Sequence, residues 1–188
     1  MVRRMAEPSS NNLLWVDLEM TGLDPSTCVI LEIATLVTSA DLATEIEGPT
    51  LTIHVPESEL LAMAPVVQEM HRRSGLWDRV LASTTTLEEA EARTLAFAQA
   101  HVVKGASPLC GNSVWKDKQF LEKYMPSVAA HVHYRVIDVS TIKELVKRWY
   151  PATHHAPKKK ELHRALDDIR ESIDELRWYR SKVMVPAV

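Results

Sequence analysis

Glycine is scarce in this chain. Only 5 of 188 residues are glycine, and none stands in a Gly-rich phosphate loop or a dinucleotide-binding fingerprint. Nucleotide capture by the backbone of such a loop is therefore excluded. Cysteine is scarcer still, with Cys28 and Cys110 far apart and each in an apolar stretch that reads as strand. Two buried, reduced thiols fit better than a disulfide or a metal pair, and they suit a reducing compartment. No apolar run approaches the ~20 residues of a membrane-spanning helix. The first twelve residues, MVRRMAEPSSNN, lack the apolar core of a secretory signal and read as a flexible tail. The expected location is cytoplasmic. No strong excess of one charge exists either: 22 Lys and Arg against 25 Asp and Glu leave a net charge of −3. A protein that coats long nucleic acid releases counterions from many phosphates through clustered basic residues, and this balance argues against one. It leaves room for a small acidic site that handles a few phosphates through bound cations. Internal repeats and low-complexity segments are absent.

What is present is an ordinary single domain, 46% hydrophobic and 25% charged, able to bury a real core. Residues 13–18, 29–37 and 50–55 read as three strands joined by turn-rich links, with Gly48-Pro49 as a break before the third. Helical candidates follow at 57–70, 76–81 and 86–103, the last opening on Thr86-Leu87-Glu88-Glu89 in the manner of a capping box. A short strand is expected at 108–110, a helix at 113–124, a strand at 133–139 and a helix at 140–149 stopped by Pro151. The loop PATHHAPKKK leads to a long amphipathic helix, 162–183, with Leu166, Ile169, Ile173, Leu176 and Tyr179 along its apolar stripe. This order predicts an α/β fold, a mixed sheet flanked by helices.

Three groups of residues can carry chemistry. In Val16-Asp17-Leu18-Glu19-Met20, residues two apart on a strand share a face, so Asp17 and Glu19 project together. Paired carboxylates repel unless a cation lies between them, and hard divalent cations choose oxygen ligands. The competing reading has Glu19 solvated beyond the strand, and this segment alone leaves both open. In Gly111-Asn112-Ser113-Val114-Trp115-Lys116-Asp117, a turn leads into a helix with Asp117 about one turn inside. Taken alone, Asp117 reads as one acid on a solvated face. In His163-Arg164-Ala165-Leu166-Asp167-Asp168, a regular helix puts His163 and Asp167 on one face and His163 and Asp168 about 140° apart. Spacing thus favours Asp167 as the partner of His163, and Asp168 only if His163 lies on a loop before the helix. Both aspartates also suit a helix N-terminus.

In order and spacing, Asp-x-Glu, Asn-x-x-x-x-Asp and His-x-x-x-x-Asp resemble the DEDDh exonucleases of the ribonuclease H-like superfamily. Trp15 to Asp24, Gly111-Asn112-Ser113, Lys123 to Pro126, His133-Tyr134-Arg135, Ile137 to Thr141 and Lys143-Glu144-Leu145 resemble the oligoribonuclease family. The resemblance runs from about residue 13 to 180. It implies a ribonuclease H-like sheet flanked by helices and an exonuclease domain over 13–183, after a tail at 1–12. It also implies two divalent ions, Mg²⁺ or Mn²⁺, on Asp17, Glu19, Asp117 and Asp168, with His163 as general base. The implied reaction is 3′→5′ removal of nucleoside 5′-monophosphates from very short RNA, down to dinucleotides. The family's members are homodimers, which places Tyr134 and Arg135 across the interface. Ser113 and Ser140 match positions that cap the 5′ phosphate, Leu23 the residue that wedges against a base, and His71 a possible substrate contact. One departure stands out. Family members often carry tryptophan five residues before the histidine of His-x-x-Ser-Gly, and here that position is Val66. Valine can touch a base but cannot stack on it comparably.

Several residues read as bland. His154 and His155 suit a surface loop, Trp77, Trp149 and Trp178 a core or interface, and Glu171, Asp174 and Glu175 a solvated helix face. A DNA-trimming exonuclease of the same chemistry would need a wide basic channel. A silent binding module would be expected to have lost one of the five residues of the motif.

Overall fold

The computed structural model describes residues 8–157 and 164–185. Five strands form one sheet in the order β3-β2-β1-β4-β5. They are β1 (Leu13–Met20), β2 (Ile30–Thr38), β3 (Glu45–Thr52), β4 (Leu109–Gly111) and β5 (Val136–Asp138). The first three run antiparallel, whereas β4 and β5 lie parallel to β1. Among the described residues eight α-helices surround them: α1 (Glu57–Leu61), α2 (Pro65–Arg73), α3 (Leu76–Ala82), α4 (Leu87–His101), α5 (Val114–Tyr124), α6 (Pro126–Ala129), α7 (Val139–Trp149) and α8 (Ala165–Lys182).

The alternation of β1 divides its side chains between two cores. Leu14, Val16 and Leu18 pack with Ala90, Ala98, Phe120 and Leu121 of α4 and α5. Trp15 faces the other way, onto Val146 of α7 and Ile169, Ile173 and Tyr179 of α8. Because both faces are covered, β2 is buried along its whole length. A third cluster, with Leu31, Leu60, Leu76 and Trp77, seats α1 to α3 beyond the end of β2.

The expected order of elements holds, and the differences have local causes. The chain does not break at Gly48-Pro49. It bulges there within β3, where Ala34 pairs with Thr50 and Leu36 with Glu47. Proline is tolerated because β3 is an edge strand. A Cβ on Gly48 would lie 2.4 Å from Thr35 Oγ1, so glycine is required. The helix expected at 57–70 is two helices, because Pro65 forces Ala64 into an extended backbone (φ −57°, ψ 143°) and starts α2 afresh. The strand expected at 133–139 shortens to Val136–Asp138, and Asp138 then caps α7 by accepting from Ser140 N. Thr86 Oγ1 accepts from Glu89 N at 3.2 Å and caps α4 as its sequence suggested. Cys110 is buried in β4, whereas Cys28 sits before β2 rather than in a strand, and both are free thiols. Upstream of β1, Ser9 N donates to His101 O and Asn12 Nδ2 donates to the same carbonyl. Among the described residues no helix is long and apolar enough to cross a membrane.

Candidate active site

The site forms where β1 outruns its neighbour. Strand β4 pairs with β1 only at Leu14 and Trp15, so the far half of β1 has no β-partner on that side. Helix α5 fills the gap. Asp117, one turn into α5, accepts the Leu18 backbone N–H through Oδ1 at 2.9 Å. Asp117 is only 6% exposed, so the solvated-face reading of it is wrong. The approach needs Gly111, whose Cβ would come 3.0 Å from Val16 O. Ser113 follows with φ 52°, a left-handed turn that aims α5 at the strand.

Asp17 and Glu19 share the other face of β1, under α8. One oxygen from each, with one from Asp168, lie within 4.8 Å of one another. Helix α8 begins at Ala165, which puts Asp168 in its first turn facing β1. Asp167, its neighbour, instead lines a cavity of about 440 Å³ with Glu32, Arg79 and Arg164. His163 lies outside the described residues.

Burial and mutual repulsion act together on this cluster. Burial, then the carboxylates of Asp168, Glu32 and Asp117, push Glu19 up to about 8, and Arg79 opposes them. Burial pushes Asp117 up to about 7 against the Leu18 N–H bond that favours its anion. Carboxylates that hold protons near neutral pH, with oxygens converging on one point, are the donor set of a hard divalent cation. The residues therefore fit divalent metal ions.

A family model described as exonuclease matches residues 14–176. The oligoribonuclease of Shewanella baltica strain OS155 is 54% identical over 173 residues, covering 92% of this chain and 96% of that protein. The oligoribonuclease of Pseudomonas aeruginosa strain PAO1 is 53% identical over 169 residues, covering 90% and 94%. The chain belongs to the oligoribonuclease family. Among solved structures, exonuclease I of Methylocaldum szegediense matches with TM-score 0.69 at 15% identity, over 92% of this chain and 41% of that one. Escherichia coli exonuclease I in complex with a dT13 oligonucleotide matches with TM-score 0.70 at 13% identity, again over 92% and 41%. These neighbours show the fold, and this chain spans about two-fifths of their length.

Of the other positions singled out by the oligoribonuclease resemblance, His71 is the one the described contacts bring beside the carboxylates. His71 is buried at the end of α2, where its Nε2–H donates to Met20 O at 2.9 Å and its Nδ1 lies 3.9 Å from Glu19 Oε2. Ser113 and Ser140 meet over Asp138: Oδ1 accepts Ser113 N at 2.9 Å and Ser140 Oγ at 2.5 Å, and Ser113 N also reaches Ser140 Oγ at 3.3 Å. Leu23 is 69% exposed in the loop after β1, and Val66 is 76% exposed on α2. Tyr134 is 70% exposed rather than packed in a strand, with the Arg135 guanidinium over its ring at 5.2 Å and Lys118 Nζ on its carbonyl at 2.8 Å.

Two features escaped the sequence. Glu175 is buried, not solvated. It accepts from Asn112 Nδ2 (3.2 Å) and Tyr179 Oη (3.0 Å) and pairs with Lys143 (3.2 Å). Ser172 Oγ also accepts from Asn112 Nδ2, at 2.7 Å, and donates to the Asp168 carbonyl, so this network fastens the turn before α5 to the helix that carries Asp168. Glu32 is the second. The signal was available: it is a lone acid inside the apolar run of β2.

Proposed function

We propose that this chain is a 3′→5′ exoribonuclease that degrades oligoribonucleotides of a few residues, down to dinucleotides, to nucleoside 5′-monophosphates. The observation that carries the reading is the convergence of Asp17, Glu19 and Asp168 within 4.8 Å, in a chain with oligoribonuclease relatives along more than nine-tenths of its length. Two divalent cations, Mg²⁺ or Mn²⁺, would be held by these three with Asp117. When bound, such ions acidify the attacking water and neutralise charge that develops on the phosphodiester. The side chains do the rest. The carboxylates would hold those ions where the scissile phosphate arrives, and the Asp117–Leu18 bond keeps Asp17 and Glu19 in register. His163 accepts the proton of the attacking water, a role that suits a side chain titrating near neutrality.

The substrate ends on polar groups that leave no room for a long strand. Ser113 and Ser140, held by Asp138, cap the 5′ phosphate. Leu23 wedges against a base, the exposed Val66 contacts one, the buried His71 supports the end of β1 through Met20 O, and Tyr134 and Arg135 serve a partner subunit's site. A homodimer is supported by Leu145 and Trp149, exposed one turn apart on the same face of α7. The cytoplasm is the proposed location.

The test uses a 5′-labelled diribonucleotide and a seven-residue RNA with Mn²⁺, a chelator control and Asp117→Asn. Metal-dependent cleavage of the dinucleotide, reduced about 10³-fold or more in the variant, is the expected result. Shortening of the longer RNA alone would remove the dinucleotide preference. Failure on both, in a folded protein that binds Mn²⁺, would point to a silent binding module.

A further inference from the structure

Arg79 belongs to no motif of the site, yet it closes a circuit of contacts behind Glu19. Glu19 and Glu32 are direct cross-strand partners on β1 and β2, so their side chains leave the sheet on the same face. Two carboxylates so placed repel, and Glu32 is 3% exposed. The Arg79 guanidinium takes Glu32 at 3.1 and 3.4 Å, while Thr52 Oγ1 donates to Glu32 Oε2 at 2.7 Å. The other arm of Arg79 donates to Ser74 O at 3.1 Å, and Ser74 Oγ donates to His71 O at 3.3 Å. His71 returns the circuit to β1 through Met20 O. Glu32 and Arg79 also border the cavity of about 440 Å³ shared with Asp167, the neighbour of Asp168, so a Glu32 side chain that lost Arg79 has space to turn.

We propose that Arg79 is a positioning residue that restrains Glu32, keeping a further carboxylate out of the metal cluster of Asp17, Glu19 and Asp168. The pair thereby sets how many carboxylate charges the metals meet. Cation affinity rises with ligand charge, whereas two-metal chemistry needs fixed ligand geometry, so release of Glu32 tightens binding and misplaces the ions. This inference rests on the metal-dependent reading of the site.

The experiment measures Mn²⁺ binding to the nucleic-acid-free protein by calorimetry, with kcat and KM on a diribonucleotide, for wild type, Arg79→Gln, Arg79→Lys and Arg79→Gln/Glu32→Gln. In Arg79→Gln, Mn²⁺ binds about tenfold tighter and kcat falls about tenfold, with KM changed less. Arg79→Lys keeps the cation and stays near wild type in both. The double variant carries neither charge. It returns to wild-type Mn²⁺ affinity and recovers most of kcat, and this arm stands even if the single variant does not fold. A folded Arg79→Gln protein with unchanged or weaker Mn²⁺ binding overturns the proposal, as does a folded double variant with kcat as low as the single one. A thermal shift without change in Mn²⁺ affinity reduces Arg79 to a structural ion pair. Absence of Mn²⁺ binding by the wild type would instead sink the metal-dependent reading itself.

Discussion

Asp117 carries two opposed demands. Its burial favours the protonated acid, while the Leu18 N–H that it accepts and the cation expected beside it favour the anion. Asparagine can still accept the Leu18 N–H and needs no cation. Asp117→Asn should therefore raise the melting temperature of the metal-free protein by a few degrees while it abolishes turnover, as differential scanning calorimetry and the dinucleotide assay would reveal. A lower melting temperature would mean that the anion itself holds α5 to β1. Val66 is the opposite kind of residue, exposed and lightly used. A tryptophan there has open space and an aromatic face for a base. Val66→Trp should lower KM for a diribonucleotide about tenfold, from stacking of about 1–3 kcal/mol, with kcat altered less. Unchanged KM would show that α2 does not flank the substrate.

Elements matter through how they end. β1 is productive because β4 stops at Gly111 and leaves the Leu18 N–H to α5. Past Glu19 the pairing with β2 shifts by one residue, so Met20 meets Ile30. Such a bulge bends the strand end and re-aims its side chains. α8 then brings Asp168 over β1, and its placement depends on the buried Glu175 near its middle. Asn112, Tyr179 and Lys143 all meet that one carboxylate. Glu175→Ala would take the acceptor from the buried Tyr179 hydroxyl and from Lys143, which is 36% exposed, while Asn112 keeps Ser172 Oγ. It should cost about 1–3 kcal/mol in urea unfolding, most of it from the lost acceptor. Glu175→Gln should cost less, since it still accepts from Asn112 or Tyr179. Equal losses for the two variants would refute a hydrogen-bonding role and leave only charge.

At the scale of the molecule, the acidic cluster links stability to pH and metal. Glu19 titrates at about 8 in the folded chain against an ordinary 4.5. A raised folded value means that the native state binds the extra proton. Its contribution to stability is full below about 4.5 and fades as pH rises through about 8. Asp117 acts in the same sense between 3.8 and about 7. Metal-free protein should thus lose stability from these groups between pH 5 and 8, and Mn²⁺ should restore it most at the alkaline end, with protons released on binding. Thermal melts at several pH values with and without chelator would decide this. A flat metal-free profile would contradict the burial argument.

The sequence by itself determined the frame. Apolar and β-branched runs between turn signals placed β1 and β2, and helical spacing placed α4 and α8, because burial leaves its mark on local composition. It also paired Asp17 with Glu19, since strand geometry fixes residues two apart on one face whatever the rest of the fold does. The choice between Asp167 and Asp168 was different. Helical spacing from His163 favoured Asp167, and the family resemblance favoured Asp168. It is the rotation of α8 on the sheet that brings Asp168 to within 4.8 Å of the pair. Asp117 read as solvated until the fold showed that β4 ends short and exposes the Leu18 N–H. Glu175 looked like surface and Glu32 went unread, since Asn112 and Lys143, which meet Glu175, and Arg79, which meets Glu32, lie 32 to 63 residues away. Local pattern records which face of an element is buried. Only tertiary packing decides which acids are drawn onto distant donors and which converge on one another.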